Sequence, residues 1–325
     1  MTRFWLQNAL VGLGAGLCAA VLLSATSNSA LTFLFYALAS LPILIAAIGW
    51  SHWAALLAGV VAAVGIAPAV GPTDAFGVLL GVALPAWWLG YLTLLARADT
   101  TTGELEWYPP GRLLLWCAIL GAVGIAPLLF DFLNRDATLA QTLRQFMRQA
   151  LRAQFQIPEG QPLVIPGVEN PEWLVGILVA LAAPLWAAVL ALIETLNLWL
   201  AALVLRISGR LRRPWPDLAA MRLPSATPLA LAAALAASFA PGVPGFVAAL
   251  LAGGLMLAYA MIGFAIMHDV SRHLHGRVVM LIGMYATVTV LRWPVLLMGL
   301  LGLIDSALDL RARVAAARGP PAPLA

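Results

Sequence analysis

Long apolar runs separated by short polar segments dominate the chain. Because a bilayer core about 30 Å thick requires roughly 20 apolar helical residues, each run is a candidate transmembrane helix. The last two runs are short and joined by Arg292-Trp293-Pro294, which also suits a tight or re-entrant hairpin. The pattern predicts an all-α fold, a polytopic transmembrane helical bundle of about 8–10 spans that forms a single unit over residues 1–310. The ten runs lie at about 8–25, 30–50, 53–71, 75–96, 113–131, 173–206, 227–240, 245–268, 277–291 and 293–308.

One polar insert, at about 132–172, interrupts the pattern between the fifth and sixth runs. Residues 137–155 place large apolar side chains about every 3.6 residues and carry Arg144, Arg148 and Arg152 on another face. This spacing predicts an amphipathic helix of the kind that lies in a membrane interface. At the other end of the chain, residues 311–325 contain Gly-Pro-Pro-Ala-Pro at 319–323 and are predicted to form a disordered tail.

A six-residue segment occurs twice. The sequence Ala-Val-Gly-Ile-Ala-Pro stands at 63–68 and again at 122–127, and the run that follows each copy contains Pro-x-Trp, beginning at Pro85 and at Pro184. The order of elements predicts a parallel internal repeat with the polar insert inside its second copy. Chance is the alternative, because the same few residue types dominate apolar helices.

Composition strengthens the membrane interpretation. Hydrophobic residues make up 62% of the chain and charged residues 10%, and the mean hydropathy is +0.95. Soluble domains contain about a quarter charged residues, so this chain lacks the polar surface that they need. The predicted partner is therefore the lipid bilayer, with other membrane subunits as a further possibility.

The positive charge of +4 is carried by arginines alone, since the chain contains no lysine. Most of them flank the apolar runs, where they determine orientation, so we expect no binding of nucleic acid. Ten alternating spans place both termini and the basic loop at 206–222 in the cytoplasm, and the insert outside. The predicted location is the bacterial inner (cytoplasmic) membrane.

Glu194 and Asn197 are the polar residues that stand out within the apolar runs. They are three positions apart and therefore share a helical face. If Arg206 marks the inner interface, Glu194 lies near the middle of the membrane and is a candidate ligand or proton site. If Trp173 marks the outer interface, Glu194 lies at the inner edge of the membrane and has a structural role.

Gly12, Gly16 and Ala20 give the first run a face of small residues. Such a face allows two helices to approach closely. The sequence leaves open whether the neighbour is a partner subunit or another helix of the same chain.

Asp305, Asp309 and Arg313 recur every four residues near the C-terminus. The spacing predicts one charged helix end with a salt bridge between Asp309 and Arg313. A coupling site for transport is the alternative.

No nucleophile elbow, phosphate-binding loop or HExxH segment occurs in the sequence, and we therefore predict no catalytic residues and no cofactor. His268, His273 and His275 cluster with Asp269 and Arg272, but their spacing matches no established zinc site. We expect a solvated helix end there rather than a metal site.

Several short stretches resemble the YybS-like family of uncharacterised polytopic bacterial membrane proteins. They are 84–91 (LPAWWLGY) followed by Ala96-Arg97, 106–111 (EWYPPG), 221–224 (MRLP), 259–264 (YAMIGF) and 302–311 (GLIDSALDLR). An asparagine-containing helix that leads into a basic turn, over 196–213, also fits that family.

The family is distantly similar to the substrate-binding S-components of energy-coupling-factor transporters. The resemblance implies a small-molecule-binding bundle that depends on separate ATPase subunits, although S-components typically have six spans. Our first hypothesis is therefore a transport-related membrane protein, either a binding or a permease subunit, and not an enzyme. A membrane scaffold or assembly factor without a ligand is the second, and an intramembrane enzyme acting on lipid is the third.

Overall fold

The computed structural model describes residues 2–25, 30–99, 103–125 and 139–317. Its helices are α1 Thr2–Leu23, α2 Ala30–Leu38, α3 Ser40–Gly49, α4 His52–Val70, α5 Pro72–Val78, α6 Leu84–Thr93, α7 Pro110–Val123, α8 Leu139–Phe155, α9 Pro171–Ile207, α10 Thr227–Ala237, α11 Gly242–Val270, α12 Arg277–Leu291, α13 Pro294–Leu308 and α14 Leu310–Ala317. A short antiparallel hairpin joins β1 (Ala96–Ala98) to β2 (Leu105–Trp107).

The predicted all-α helical bundle is confirmed, and the protein is a multi-pass membrane protein. In the part of the chain that the structure describes, six helical segments are long and apolar enough to cross a membrane: α1, α2 with α3, α4, α5 with α6, α9 and α11. The other predicted runs form four shorter apolar helices, α7, α10, α12 and α13. Those four have 11 to 15 residues each, so length alone supports fewer spans than the predicted eight to ten.

Prolines explain the irregular points in two spans. Pro42 has no N–H to donate to the carbonyl of Leu38, and the chain turns at Ala39 between α2 and α3. Pro85 likewise cannot donate to the carbonyl of Gly81, and a π-helical turn at Leu79–Ala83 precedes α6. Each span continues past its irregular point.

The small-residue face of α1 packs against α4 of the same chain. A Cβ on Gly12 would lie 2.7 Å from the carbonyl oxygen of Ala54, and one on Gly16 would lie 2.6 Å from that of Ala58. Ala20, on the same face, is also buried. These distances require glycine at positions 12 and 16, and they identify the neighbour that the sequence left open as an intrachain helix.

The arginine-rich segments meet at one end of the bundle, which we call the basic end. Hydrogen bonds join Arg213 to the carbonyl of Thr93, Arg272 to Asp217, and Asn8 in the first turns of α1 to Ser51. The basic end comprises 49–52, 93–99, 103–112, 206–227, 268–277 and 305–317. The described ends of the chain therefore lie on the same side of the bundle.

Helix α8 lies at the opposite end, where the sequence predicts an amphipathic helix. It spans Leu139–Phe155, and residues 132–138 of the predicted insert lie outside the described residues. Arg148 binds both carboxylate oxygens of Glu172 at 3.0 and 2.6 Å, and Arg152 donates to the carbonyls of Pro158 and Gln161. Two arginines of the predicted stripe therefore fix α8 to its own chain.

The predicted pairing of Asp309 with Arg313 is wrong. Asp309 adopts a left-handed conformation (φ 48°) that ends α13, so Arg313 is no longer on the helical face of Asp305 and Asp309. Asp309 instead pairs with Arg222 at 2.7 Å. Asp305 forms a buried ion pair with Arg311 at 2.8 Å.

The predicted disordered tail begins with a helix instead, α14 at Leu310–Ala317, and residues 318–325 lie outside the described residues. Arg311 explains the order, because its guanidinium also donates to the carbonyls of Ala219 and Met221, each at 3.0 Å. The start of the tail is thereby tied to the loop between α9 and α10.

The repeat prediction concerns α4 with α6 and α7 with α9. Helices α4 and α7 both lead away from the basic end, as a parallel repeat requires. The contacts of their glycines differ in register, however, since Gly59 meets Ala83 before Pro85, whereas Gly121 meets Ala187 and Ala191 after Pro184. The second copy of the motif ends outside the described residues, so the superposition of the two pairs stays a prediction.

Candidate functional site

Helix α9 carries both polar candidates. Its N-cap, Asn170, accepts a hydrogen bond from the backbone N–H of Trp173, and the helix then continues for 37 residues. At 1.5 Å per residue it is about 55 Å long, well beyond the bilayer core of about 30 Å. Glu194 and Asn197 are both buried, with 7% and 1% of their surfaces exposed, so they face the bundle and not lipid.

Asn197 connects α9 to the break between α2 and α3. Its Nδ2 donates to the hydroxyl oxygen of Ser40 at 2.9 Å and to the carbonyl oxygen of Ala37. Ser40 is the middle residue of the span Leu31–Gly49. Asn197 therefore lies near the middle of the apolar layer.

The register between α3 and α9 also determines the depth of Glu194 in the apolar layer. A Cβ on Gly49 would touch the side chain of Leu205, so α3 and α9 run side by side in the same direction. Glu194 lies three residues before Asn197, which is about 5 Å along the axis. This arrangement supports the first of our two alternatives, in which Arg206 lies at one interface and Glu194 near mid-membrane.

The carboxylate of Glu194 is incompletely bonded. Within the described residues its Oε2 has no hydrogen-bond partner. Tyr36 and Cys117 are neighbouring titratable side chains, on α2 and α7. An ionisable group in this position is uncommon and is by default a functional candidate.

A cavity of about 970 Å³ lies beside this region, between α7, α9, α11 and the loop that follows α9. Its walls are mostly apolar and include Leu114, Leu198, Trp199 and Met261. Glu194 and Asn197 are not among its lining residues, and Asn197 points toward α2 and α3. The next residue, Thr195, does line it.

Charged groups of the basic end line the rest of the cavity. Arg272 binds both carboxylate oxygens of Asp217, at 2.8 and 2.7 Å, and this bonding lowers the pKa of that carboxyl. Arg213 and Arg277 line the same part of the cavity. The cavity is therefore apolar along the helices and positively charged at the basic end.

Arg213 was not among the residues that the sequence singled out. It is 8% exposed, donates to the carbonyl of Thr93 at 3.3 Å, and has an Nε without a partner among the described residues. Burial lowers the pKa of this guanidinium. In the sequence it is one of several arginines after a span, next to the exposed Arg212, and only the flanking Pro214-Trp215-Pro216 marks an unusual loop.

The predicted solvated helix end near His268 is held by specific contacts. The Nε2 of His268 lies 2.8 Å from the hydroxyl of Tyr285, and Arg272 also pairs with Asp269. Over the described ranges, no three histidine, cysteine, aspartate or glutamate side chains come together as metal ligands would.

Comparison of the chain with protein-family models, with curated proteins and with solved structures finds no match. Fold and composition thus place the protein in the class of all-α multi-pass membrane proteins. The cavity and the buried Glu194 are the features that bear on its function.

Proposed function

We propose that this protein is a transport-related membrane protein that binds a small molecule and has no ATPase of its own. The observation that carries this proposal is the cavity beside α9. Its volume lies within the range of about 300–1,000 Å³ that is usual for ligand sites. It combines apolar walls with a few charged groups, as ligand sites generally do.

Its position favours transport over a purely structural role. The cavity begins at the basic end and extends along α9 to Thr195, the residue that follows Glu194. A ligand in the cavity would therefore lie at the membrane depth of a buried, incompletely bonded carboxylate. Such groups are typical of proton and ion pathways in transporters.

We place the protein in the bacterial inner membrane with its basic end in the cytoplasm. The support is the collection of arginine-bearing loops at one end of the bundle, as the positive-inside rule requires. The proposed kinship with the YybS-like family remains part of this proposal.

A membrane scaffold is the second candidate. Helix α12 supports it, because none of its described side chains is buried, and Val279 and Val290 are more than three-quarters exposed. Such a helix fits a lipid-facing position or a contact with another subunit.

Filling the cavity separates the two candidates. Ala202 lines it, and Ala180 is an exposed alanine of the same helix. Ala202→Phe and the control Ala180→Phe are purified in neutral detergent, exposed to an extract of small molecules, and analysed by mass spectrometry. We expect a compound retained by the wild type and by Ala180→Phe to be lost from Ala202→Phe. Identical retention by all three would leave the scaffold as the better explanation.

A further inference from the structure

Arg213 is a buried cation that pairs with no counter-charge among the described residues. Arg272 and Arg311 each pair with a carboxylate, at 2.7 and 2.8 Å. No carboxylate of the described residues pairs with Arg213, although less than a tenth of its surface is exposed. Since a desolvated charge is costly unless it is paired, the guanidinium is well suited to an anion that enters from outside the chain.

The side chain of Arg213 borders the cavity. Arg213 is one of its lining residues, and the free Nε belongs to that side chain. Arg277 adds a second positive charge to the lining, while the charge of Asp217 is balanced by Arg272. The charged part of the cavity therefore attracts anions.

The rest of the cavity is too large and too apolar for a bare anion. A carboxylate or phosphate group fills only a small part of about 970 Å³. Leu198 and Trp199 line the cavity on α9 and Met261 lines it on α11. From Ala202 to Thr195 this wall extends about 10 Å along the helix.

We propose that the cavity binds an amphiphile with an acidic head, a carboxylate or a phosphate, which contacts Arg213 while its hydrocarbon chain lies along α9. This assignment rests on the proposed function and names its ligand class. Guanidinium groups bind carboxylates and phosphates with charge-assisted, often paired hydrogen bonds, and the apolar wall would desolvate the chain.

The test compares two probes that share a tail. Oleoyl lysophosphatidate has a phosphate head, and oleoyl lysophosphatidylcholine has the same chain with a zwitterionic head. Inorganic phosphate serves as the head alone. Binding to the full chain in neutral detergent is titrated by native mass spectrometry. We expect lysophosphatidate to bind at least tenfold more tightly than either other probe, and equal affinities for the two lipids would overturn the proposal.

Two variants assign the preference to Arg213. Arg213→Gln removes one positive charge from the cavity lining, and Arg212→Gln makes the same change at the exposed neighbouring position. We expect Arg213→Gln to lose the preference for lysophosphatidate and Arg212→Gln to keep it. The same loss in both variants would mean a general effect of surface charge and would contradict the assignment.

Ala202→Phe provides an independent arm if Arg213→Gln does not fold. It should reduce lysophosphatidate binding at least tenfold relative to Ala180→Phe, and unchanged binding would exclude this cavity. Lipid extraction of the purified wild type then identifies the source of the bound ligand. A diacyl phospholipid would indicate that the ligand comes from the bilayer, and a single-chain acid would indicate a free amphiphile.

Different experimental results would contradict this inference and the proposed function. If a non-acidic compound is lost only from Ala202→Phe, the cavity is a ligand site but the acidic amphiphile is wrong. If lysophosphatidate binds as expected yet crosses no faster into liposomes that contain the protein, the transport role is wrong and the amphiphile site remains.

Discussion

Arg311 and Asp305 form a buried ion pair across the end of α13, with 2.8 Å between Nη2 and Oδ2 and side-chain exposures of 6% and 2%. Asp305 also accepts a hydrogen bond from the backbone N–H of Arg311. The remaining guanidinium donors bind two carbonyls of the loop that borders the cavity. The C-terminal segment and the cavity loop are therefore held by one side chain.

Breaking this pair should destabilise the protein strongly. Arg311→Gln leaves Asp305 buried without its counter-charge, which typically costs about 3–5 kcal/mol. Asp309→Asn removes the carboxylate of the exposed pair with Arg222 and serves as the control, where we expect a much smaller loss. Thermal unfolding in detergent compares the two, and equal losses would contradict a dominant role for the buried pair.

The glycines of α1 provide a second matched comparison. A Cβ at Gly16 would meet the backbone of Ala58 at 2.6 Å, whereas nothing lies within 4 Å of a Cβ at Gly14. Gly16→Ala should therefore force α1 and α4 apart and cost about 1–3 kcal/mol. Gly14→Ala should be neutral or stabilise the helix by about 0.5–1 kcal/mol. Unfolding measurements that rank the two variants in the opposite order would refute the close packing.

The apolar runs predicted the helices correctly because a single segment in lipid satisfies its backbone hydrogen bonds by forming a helix. Every predicted run forms a helix over most of its described residues, and α8 follows the apolar period of its sequence. The side-chain partners were less predictable. The spacing of Asp309 and Arg313 favoured a helical pair, but the left-handed turn at Asp309 depends on Arg311 reaching a loop 90 residues away.

The residues of the candidate site likewise include some that the sequence identified and some that it did not. Glu194 and Asn197 were recognisable because polar residues are rare in apolar runs. Arg212 and Arg213 are indistinguishable by sequence as positive charges after a span, yet one is exposed and the other buried. Arg213 points into the bundle, where it donates to the carbonyl of Thr93, 120 positions away.

The proposed orientation predicts the behaviour of reporter fusions. The segment around Gly160 lies at the end opposite the basic end, to which the C-terminal helix is fixed. A reporter inserted at Gly160 should therefore be active outside the cytoplasm, and one at the C-terminus should be active inside. A fusion at Gly209, in the loop after α9, is the control and should match the C-terminus. The same side for Gly160 and the C-terminus would refute the topology.

Glu194 supports the prediction that bears most directly on transport. Its carboxylate is buried near the middle of the apolar layer, and Oε2 has no partner among the described residues. Glu194→Gln keeps the size and hydrogen-bonding ability of the side chain and removes its titration. Folding and membrane insertion should therefore survive, because the substitution removes a buried ionisable group and leaves the bonds of Asn197 in place.

If transport is coupled to protons through Glu194, a pH gradient should drive uptake of the transported compound into liposomes that contain the protein. Glu194→Gln should abolish this uptake. Glu169→Gln, at an exposed position before α9, is the matched control and should transport like the wild type. Gel filtration in detergent checks that both variants are folded. Uptake by Glu194→Gln at the wild-type rate, with the same dependence on the gradient, would make Glu194 a structural residue, because a group that carries the coupling proton cannot be replaced by one that does not titrate.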